Sequence, residues 1–130
     1  MLIVDASCLY QALTGGGGAE AVRERLAGDQ DHAAPHVIDV EVLGVLRREH
    51  MLGRLDRTAA AQAVEDLEDW PGERFGHRSL LGRAWELRDD VRGWDAMYVA
   101  LAEALDAPLL TLDGRLAAAT GPACRIELVG

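Results

Sequence analysis

WDAMYVALAEALDAPLLTLDGRLA, residues 94–117, changes its periodicity twice. WDAMYVALAEALDA, after the break at Gly93, predicts a helix. APLLTL is a short, wholly apolar run that ends at Asp113, and it reads as a buried strand. DGRLAAAT then starts a second, short helix. A strand this apolar has no solvent face, so helices must cover it on both sides. Helix, buried strand, helix is the unit of an α/β layer fold.

The rest of the chain repeats the unit. LIVD, residues 2–5, is a β-branched strand closed by an aspartate, and a helix follows from Ala6 to about Leu13. The glycines at 15–18 break that helix. No G-K-[ST] follows them, so they form a flexible loop and not a phosphate cradle. AEAVRERLAG is a short helix ending at Gly28, and DQDHAAP (29–35) reads as loop. VIDVEVLGVLRREHMLG (37–53) is helical and apolar over most of its circumference, which predicts extensive burial. DRTAAAQAVEDLEDW (56–70) is a helix with an acidic outer face, and PGERFGH (71–77) holds a short strand. SLLGRAWELRDDV (79–91) predicts an amphipathic helix capped by Ser79, broken at Gly93, and CRIELV (124–129) a terminal strand. The expectation is an α/β fold: one domain over residues 1–130, with a mainly parallel, short-stranded sheet flanked by helices on both faces.

Composition narrows the function classes. The 130 residues carry a net charge of −9, which argues against simple electrostatic attraction to nucleic acid. All 13 basic residues are arginine. Without lysine there is no Schiff-base nucleophile and no P-loop lysine. Cys8 and Cys124 are isolated and read as free thiols. No apolar run is long enough to span a membrane, and no basic n-region precedes the first apolar run, so the expected location is cytoplasmic.

Four acids do not sit in the polar surroundings of the others. Asp5 ends the first strand, Glu41 lies inside VIDVEVLGVL, Asp95 opens the helix of the 94–117 segment, and Asp113 ends its strand. Taken singly, each aspartate is more often an N-cap than a functional group. None completes a capping box, because Cys8, Tyr98 and Leu116 occupy the third position. Glu41 is harder to explain that way. Its helical neighbours are Val37, Ile38, Gly44 and Val45, and an unpaired carboxylate buried among them would be costly. It must reach water, a cation or a polar cleft, and Gly44 one turn on leaves room beside it.

Strand ends that lead into helices share one edge of a parallel sheet, and ligands bind at that edge. Four converging carboxylates would repel and raise one another's pKa. Magnesium and manganese, hard ions that favour carboxylate and water, would resolve the repulsion. Such a centre suits hydrolysis of phosphoryl groups and reverses the local sign of charge. The arginines at 47, 48, 54 and 57 and at 74, 78, 83, 88 and 92 are candidates for phosphate or partner contact, although a solvated helix face is as good a reading for any one of them.

MLIVDASCLY, then PHVIDVEVLGVLRR, then the 94–117 segment together resemble the PIN-domain family, in order and over essentially the whole chain. Within it they are most similar to the VapC-type toxins of prokaryotic toxin–antitoxin modules. The resemblance implies a metal-dependent endoribonuclease that uses Mg2+ or Mn2+ and cuts RNA, either tRNA or rRNA, by water attack at phosphorus. The family's four acids fall on Asp5, Glu41, Asp95 and Asp113, and Ser7 and Thr111 match small hydroxyl positions beside the metal ligands. A cognate antitoxin is implied as partner, with the toxin a homodimer or part of a hetero-oligomer with it. Trp94 departs from the family, where tyrosine is common, as do Gly114 and the four-glycine loop. The alternative is a PIN-like domain without nuclease activity, a protein-binding module in which the acids are caps. A phosphotransfer domain would want a lysine. A metal-free ribonuclease would want paired histidines, and His32, His36, His50 and His77 form no motif.

Overall fold

The computed structural model describes residues 1–130. Strands β1 (Leu2–Val4), β2 (His32–Pro35), β3 (Glu73–Phe75), β4 (Leu109–Thr111) and β5 (Ile126–Leu128) form one sheet. The helices are α1 (Ala6–Thr14), α2 (Ala19–Ala27), α3 (Val37–Met51), α4 (Arg57–Asp69), α5 (Leu81–Glu86), α6 (Asp95–Ala104) and α7 (Gly114–Ala117). The strand order is β3-β2-β1-β4-β5 and every pairing is parallel. None of the helices is long and apolar enough to cross a membrane.

The central strands are apolar because both of their faces are covered. Leu2, Ile3, Val4 and Leu109 are 0% exposed, with Ile3 opposite Leu109 and Val4 opposite Leu110. Helix α6 supplies the most continuous cover, burying Ala96 and the whole run from Tyr98 to Ala102. The chain steps outward from β1 to β2 and β3, then returns to place β4 on the other side of β1. The reversal makes the β1/β4 boundary a topological switch point, with a crevice at the carboxyl ends of the two strands.

Three local expectations fail, each for a tertiary reason. Residues 32–35 form a strand and not a loop: Leu2 pairs with His32 and Pro35 with Phe75. Alanine and proline carry little strand propensity, so this strand is imposed by its neighbours on both sides. Helix α3 is not largely buried. Only the stripe Ile38, Val42, Leu46 faces the core, and Val40 and Leu43 remain 70% and 51% exposed. The helix predicted over 79–91 shortens to α5, preceded by a 3-10 turn over Arg78–Leu80, and Ser79 lies inside that turn and caps nothing.

Several arginines offered by the sequence as phosphate contacts are consumed in holding the fold. Arg83 pairs with Glu103, its Nε donating at 2.6 Å, and Arg88 stacks on Trp85 at 4.4 Å from the ring centre. Arg74, on β3, is the most heavily used. It donates to the carbonyls of Leu67 (2.8 Å), Trp70 (2.6 Å) and Gly72 (3.1 Å) and to the Asp39 carboxylate (3.0 Å). Its guanidinium also lies 4.8 Å from the centre of the Trp70 ring. The same ring leaves no space for a Cβ at Gly72, where one would meet it at 2.2 Å. Arg74 therefore satisfies the last carbonyls of α4 and ties that helix to α3.

This geometry predicts that Arg74→Met and Arg74→Lys both lower unfolding free energy in urea, by about 2 kcal/mol for the first. The lysine variant is not rescued, because a point charge cannot serve several carbonyls and Asp39 from one plane. A loss below about 0.5 kcal/mol, the range of ordinary surface substitutions, would contradict it.

Candidate active site

Asp5 follows β1 directly and begins α1. Its Oδ1 accepts the Cys8 amide at 3.0 Å, so it is an N-cap as the sequence allowed. A cap alone needs neither burial nor more partners. Asp5 is 5% exposed, and its carboxylate also accepts the Ser7 hydroxyl at 2.6 Å and the Thr111 hydroxyl from the end of β4. Thr111 Oγ1 in turn accepts the Asp113 amide at 3.0 Å, so the two strand ends are joined through their side chains. Burial pushes the Asp5 pKa up despite these donors, since desolvation outweighs the hydrogen bonds.

Glu41 projects from α3 and accepts the Tyr98 hydroxyl at 2.8 Å. Tyr98 is fully buried on α6, so its hydroxyl needs a partner as much as the carboxylate does. Desolvation raises the Glu41 pKa, with Asp95 and Asp5 adding repulsion. Gly44 leaves open groove beside it: a Cβ there would meet nothing within 4 Å.

Asp95 is not a cap. Trp94 holds the cap position of α6 without a side-chain bond, and Asp95 stands in the first turn. Its pKa rises from 3.8 to about 6, through desolvation first, then repulsion from Asp5 and Asp113, with Arg92 and Arg115 pulling the other way. Asp113 caps α7, accepting the Arg115 amide at 2.9 Å. Asp113 and Asp95 line one small cleft with Arg92 and Arg115. On the other side, Glu41, Ser7 and Trp94 line an open groove of about 890 Å³ between α1 and α3. Asp5 is in electrostatic contact with both sides.

The fold thus brings all four sequence-singled acids to the β1/β4 edge, with Ser7 and Thr111 on Asp5. As the side chains lie, no three of them close within ligating distance of a common point. Their chemistry still fits a hard dication. The donors are carboxylate oxygens, and three of the four groups have pKa values raised first by desolvation, with repulsion from neighbouring acids adding to it at Glu41 and Asp95. Tyr98 was missed as a site residue. Its signal was the three-residue spacing from Asp95, which sets both on one face of α6. The thiol of Cys8 beside Asp5 is pushed up by burial and by that carboxylate, in keeping with an inert cysteine. The histidines do not pair as acid and base: His77 accepts the Val37 amide at 2.9 Å, and His32 and His50 bond backbone carbonyls.

Comparison with known proteins places this geometry among relatives. The profile of the PIN domain matches residues 2–122. Ribonuclease VapC1 of Mycobacterium tuberculosis is 41% identical over 128 residues, covering 98% of this chain and 96% of its own. Among solved structures, Mycobacterium tuberculosis VapC20, described as a sarcin-ricin loop cleaving toxin, superposes with a TM-score of 0.69 at 20% identity, over 91% of this chain and 94% of its own. A toxin–antitoxin complex from Klebsiella pneumoniae superposes with a TM-score of 0.67 at 16% identity, over 98% of this chain and 96% of that one.

The carboxylate shifts have a consequence for stability without metal. Between 3.8 and about 6, folded Asp95 holds a proton that the unfolded chain has released, so stability falls as pH rises through that window. Asp5 and Glu41 act in the same direction. Asp29, Glu103 and Glu127, whose pKa values are lowered by hydrogen bonds from Arg25 and Arg83, are charged at both ends of a pH 5 to pH 7 comparison and do not oppose it. In EDTA the protein should melt at a higher temperature at pH 5 than at pH 7, and Asp95→Asn should shrink the difference. An equal or opposite slope in the wild type, measured by calorimetry, contradicts this.

Proposed function

The chain belongs to the PIN-domain family and, within it, to the VapC ribonucleases, and from that premise we propose that it is a divalent-metal-dependent endoribonuclease, the toxin of a toxin–antitoxin pair. The observation that supports this best is the cluster at the β1/β4 edge: burial raises the pKa values of Asp5, Glu41 and Asp95, and Asp5 adds repulsion at the other two. A protein-binding module would not need to keep them together. Residues 1–130 act as a single PIN domain in this reading, in the cytoplasm.

Asp5, Glu41, Asp95 and Asp113 would hold Mg2+ or Mn2+, in part through water. When bound, the ion supplies a low-pKa water and charge stabilisation at the scissile phosphate. The residues around it do the positioning. Ser7 and Thr111 each fix an oxygen of Asp5, and Tyr98 fixes one of Glu41. A carboxylate oxygen of Glu41 or Asp95 that the ion does not occupy would help to take the proton from the attacking water. Arg92 and Arg115, beside Asp95, offset its charge and can meet a phosphate. Attack by water on phosphorus leaves 5′-phosphate and 3′-hydroxyl ends on the RNA, here taken to be tRNA or rRNA. The antitoxin reading is supported by relatives of the VapC type and by the fold shared with a chain of a toxin–antitoxin complex. Such a partner would inhibit by covering the groove that opens onto Glu41, and a homodimer is compatible with the exposed apolar residues of α3.

Purified protein should cut a pool of cellular RNA with Mn2+ and fall silent in EDTA. Asp5→Asn and Asp95→Asn should each lower the rate at least about a hundredfold, the scale of losing an electrostatic group of the site. Cleavage that persists in EDTA, or that survives both substitutions, would sink the proposal.

A further inference from the structure

The chain has three tryptophans, and two of them carry an arginine over the indole. Trp70 is 9% exposed and stacks with Arg74. Trp85 is 67% exposed, but Arg88 covers its ring. Trp94 is 64% exposed with no cation over its indole, immediately after Gly93, whose φ of +44° turns the chain sharply into α6. It adjoins Asp95 in the chain and lines the groove that also contains Ser7 and Glu41. The neighbouring wall is aromatic as well. His36 and His77 pack edge to face with ring centres 6.4 Å apart. His77 Nε2 accepts the Val37 amide, which fixes the orientation of its ring in the groove wall.

We infer that Trp94 is a stacking platform for an RNA base flanking the scissile phosphate, with His36 and His77 completing the subsite. The inference rests on the ribonuclease reading and specifies how its substrate is held. Single-stranded nucleic acid is bound by combining a cationic path for the backbone with aromatic faces for the bases. The two halves meet at Asp95: Arg92 and Arg115 are exposed in the small cleft that Asp95 lines, and Trp94, its neighbour in the chain, lines the groove. Asp95 and Asp113 line the cleft with the arginines, and Glu41 lines the groove with Trp94. A base on Trp94 therefore leaves its phosphodiester beside the carboxylates and the next phosphate toward the arginines. An aromatic face at this point tolerates any base, so it contributes affinity and register more than sequence choice. A protein segment or second copy covering the same indole is the competing occupant, and the test separates them.

The experiment measures binding of fluorescein-labelled hexanucleotides with hydrolysis-resistant phosphorothioate linkages, one set for each base, to the full chain with Mg2+. Trp94→Ala should weaken binding about tenfold, within the range found for removing one stacking partner. Trp94→Phe should stay within about threefold of wild type. The logarithmic salt slope should not change, because no phosphate contact is lost. Replacing one base by an abasic sugar should cost the wild type what Trp94→Ala costs, and should cost Trp94→Ala nothing further at the same position. If wild type binds and cleaves RNA but Trp94→Ala is indistinguishable from it with intact and abasic strands, the stacking role is wrong and the ribonuclease reading stands. Loss of self-association in sedimentation, with RNA affinity intact, likewise overturns it in favour of a protein contact. If the wild type neither binds nor cleaves any RNA, both readings fall together.

Discussion

Asp5 is the one charged side chain that the fold buries, and Thr111, which donates to it, is the other buried polar residue. An isolated carboxylate at that depth would cost several kcal/mol. Three donors make it tolerable: the Ser7 hydroxyl, the Cys8 amide and the Thr111 hydroxyl. These come from the first turn of α1 and from the end of β4, so satisfying Asp5 requires that β4 lie next to β1. The same pairing creates the switch point. The strand order, the crevice and the charge within it are thus one constraint. The N-cap and functional readings of Asp5 do not compete, because the cap uses one oxygen while the other faces β4.

A second carboxylate is solved in the same manner from a different direction. Glu41 comes from α3 and finds Tyr98 on α6, a helix that leads into β4. Tyr98 and Asp95 share a face of α6, so the helix that covers the central strands also delivers one acid and orients another. Ser7, Thr111 and Tyr98 each leave their carboxylate free to accept further bonds, since an ionised carboxylate offers about four lone-pair sites. They fix position without neutralising charge, as a pre-organised site requires.

How much of this could be read from the chain depends on whether the cause was local. The strands around Ile3 and Leu110 were legible because burial on both faces leaves an apolar signature. The four acids were legible for the opposite reason: Glu41 in particular is polar where its surroundings are not. Strand β2 was not, because His32, Ala33, Ala34 and Pro35 carry no strand signal and are extended only by pairing with β1 and β3. The exposure of Val40 and Leu43 was hidden for a related reason. Apolar composition cannot tell a buried face from one that lines a groove. Nor could the sequence say which arginines were free. Arg74, Arg83 and Arg88 are taken by carbonyls, Glu103 and Trp85, while Arg92 and Arg115 stand near the acids.

The acidity of the chain and its proposed polyanionic substrate are reconciled by the same distribution. A net charge of −9 repels RNA at long range, so steering cannot supply the affinity. Whatever holds the substrate must act at close quarters. In the proposed reading the acids would meet phosphate only through a cation, which the folded chain alone would bind, since the four residues are far apart in an unfolded one. Binding to the native state adds stability in proportion to the logarithm of ion concentration over its dissociation constant. The desolvation and the repulsion from Asp5 and Asp113 that raise the Asp95 pKa are therefore a cost of the metal-free fold that a bound ion would offset. The charges that make the free protein less stable at neutral pH are the ones that would make its site selective for a small, hard cation.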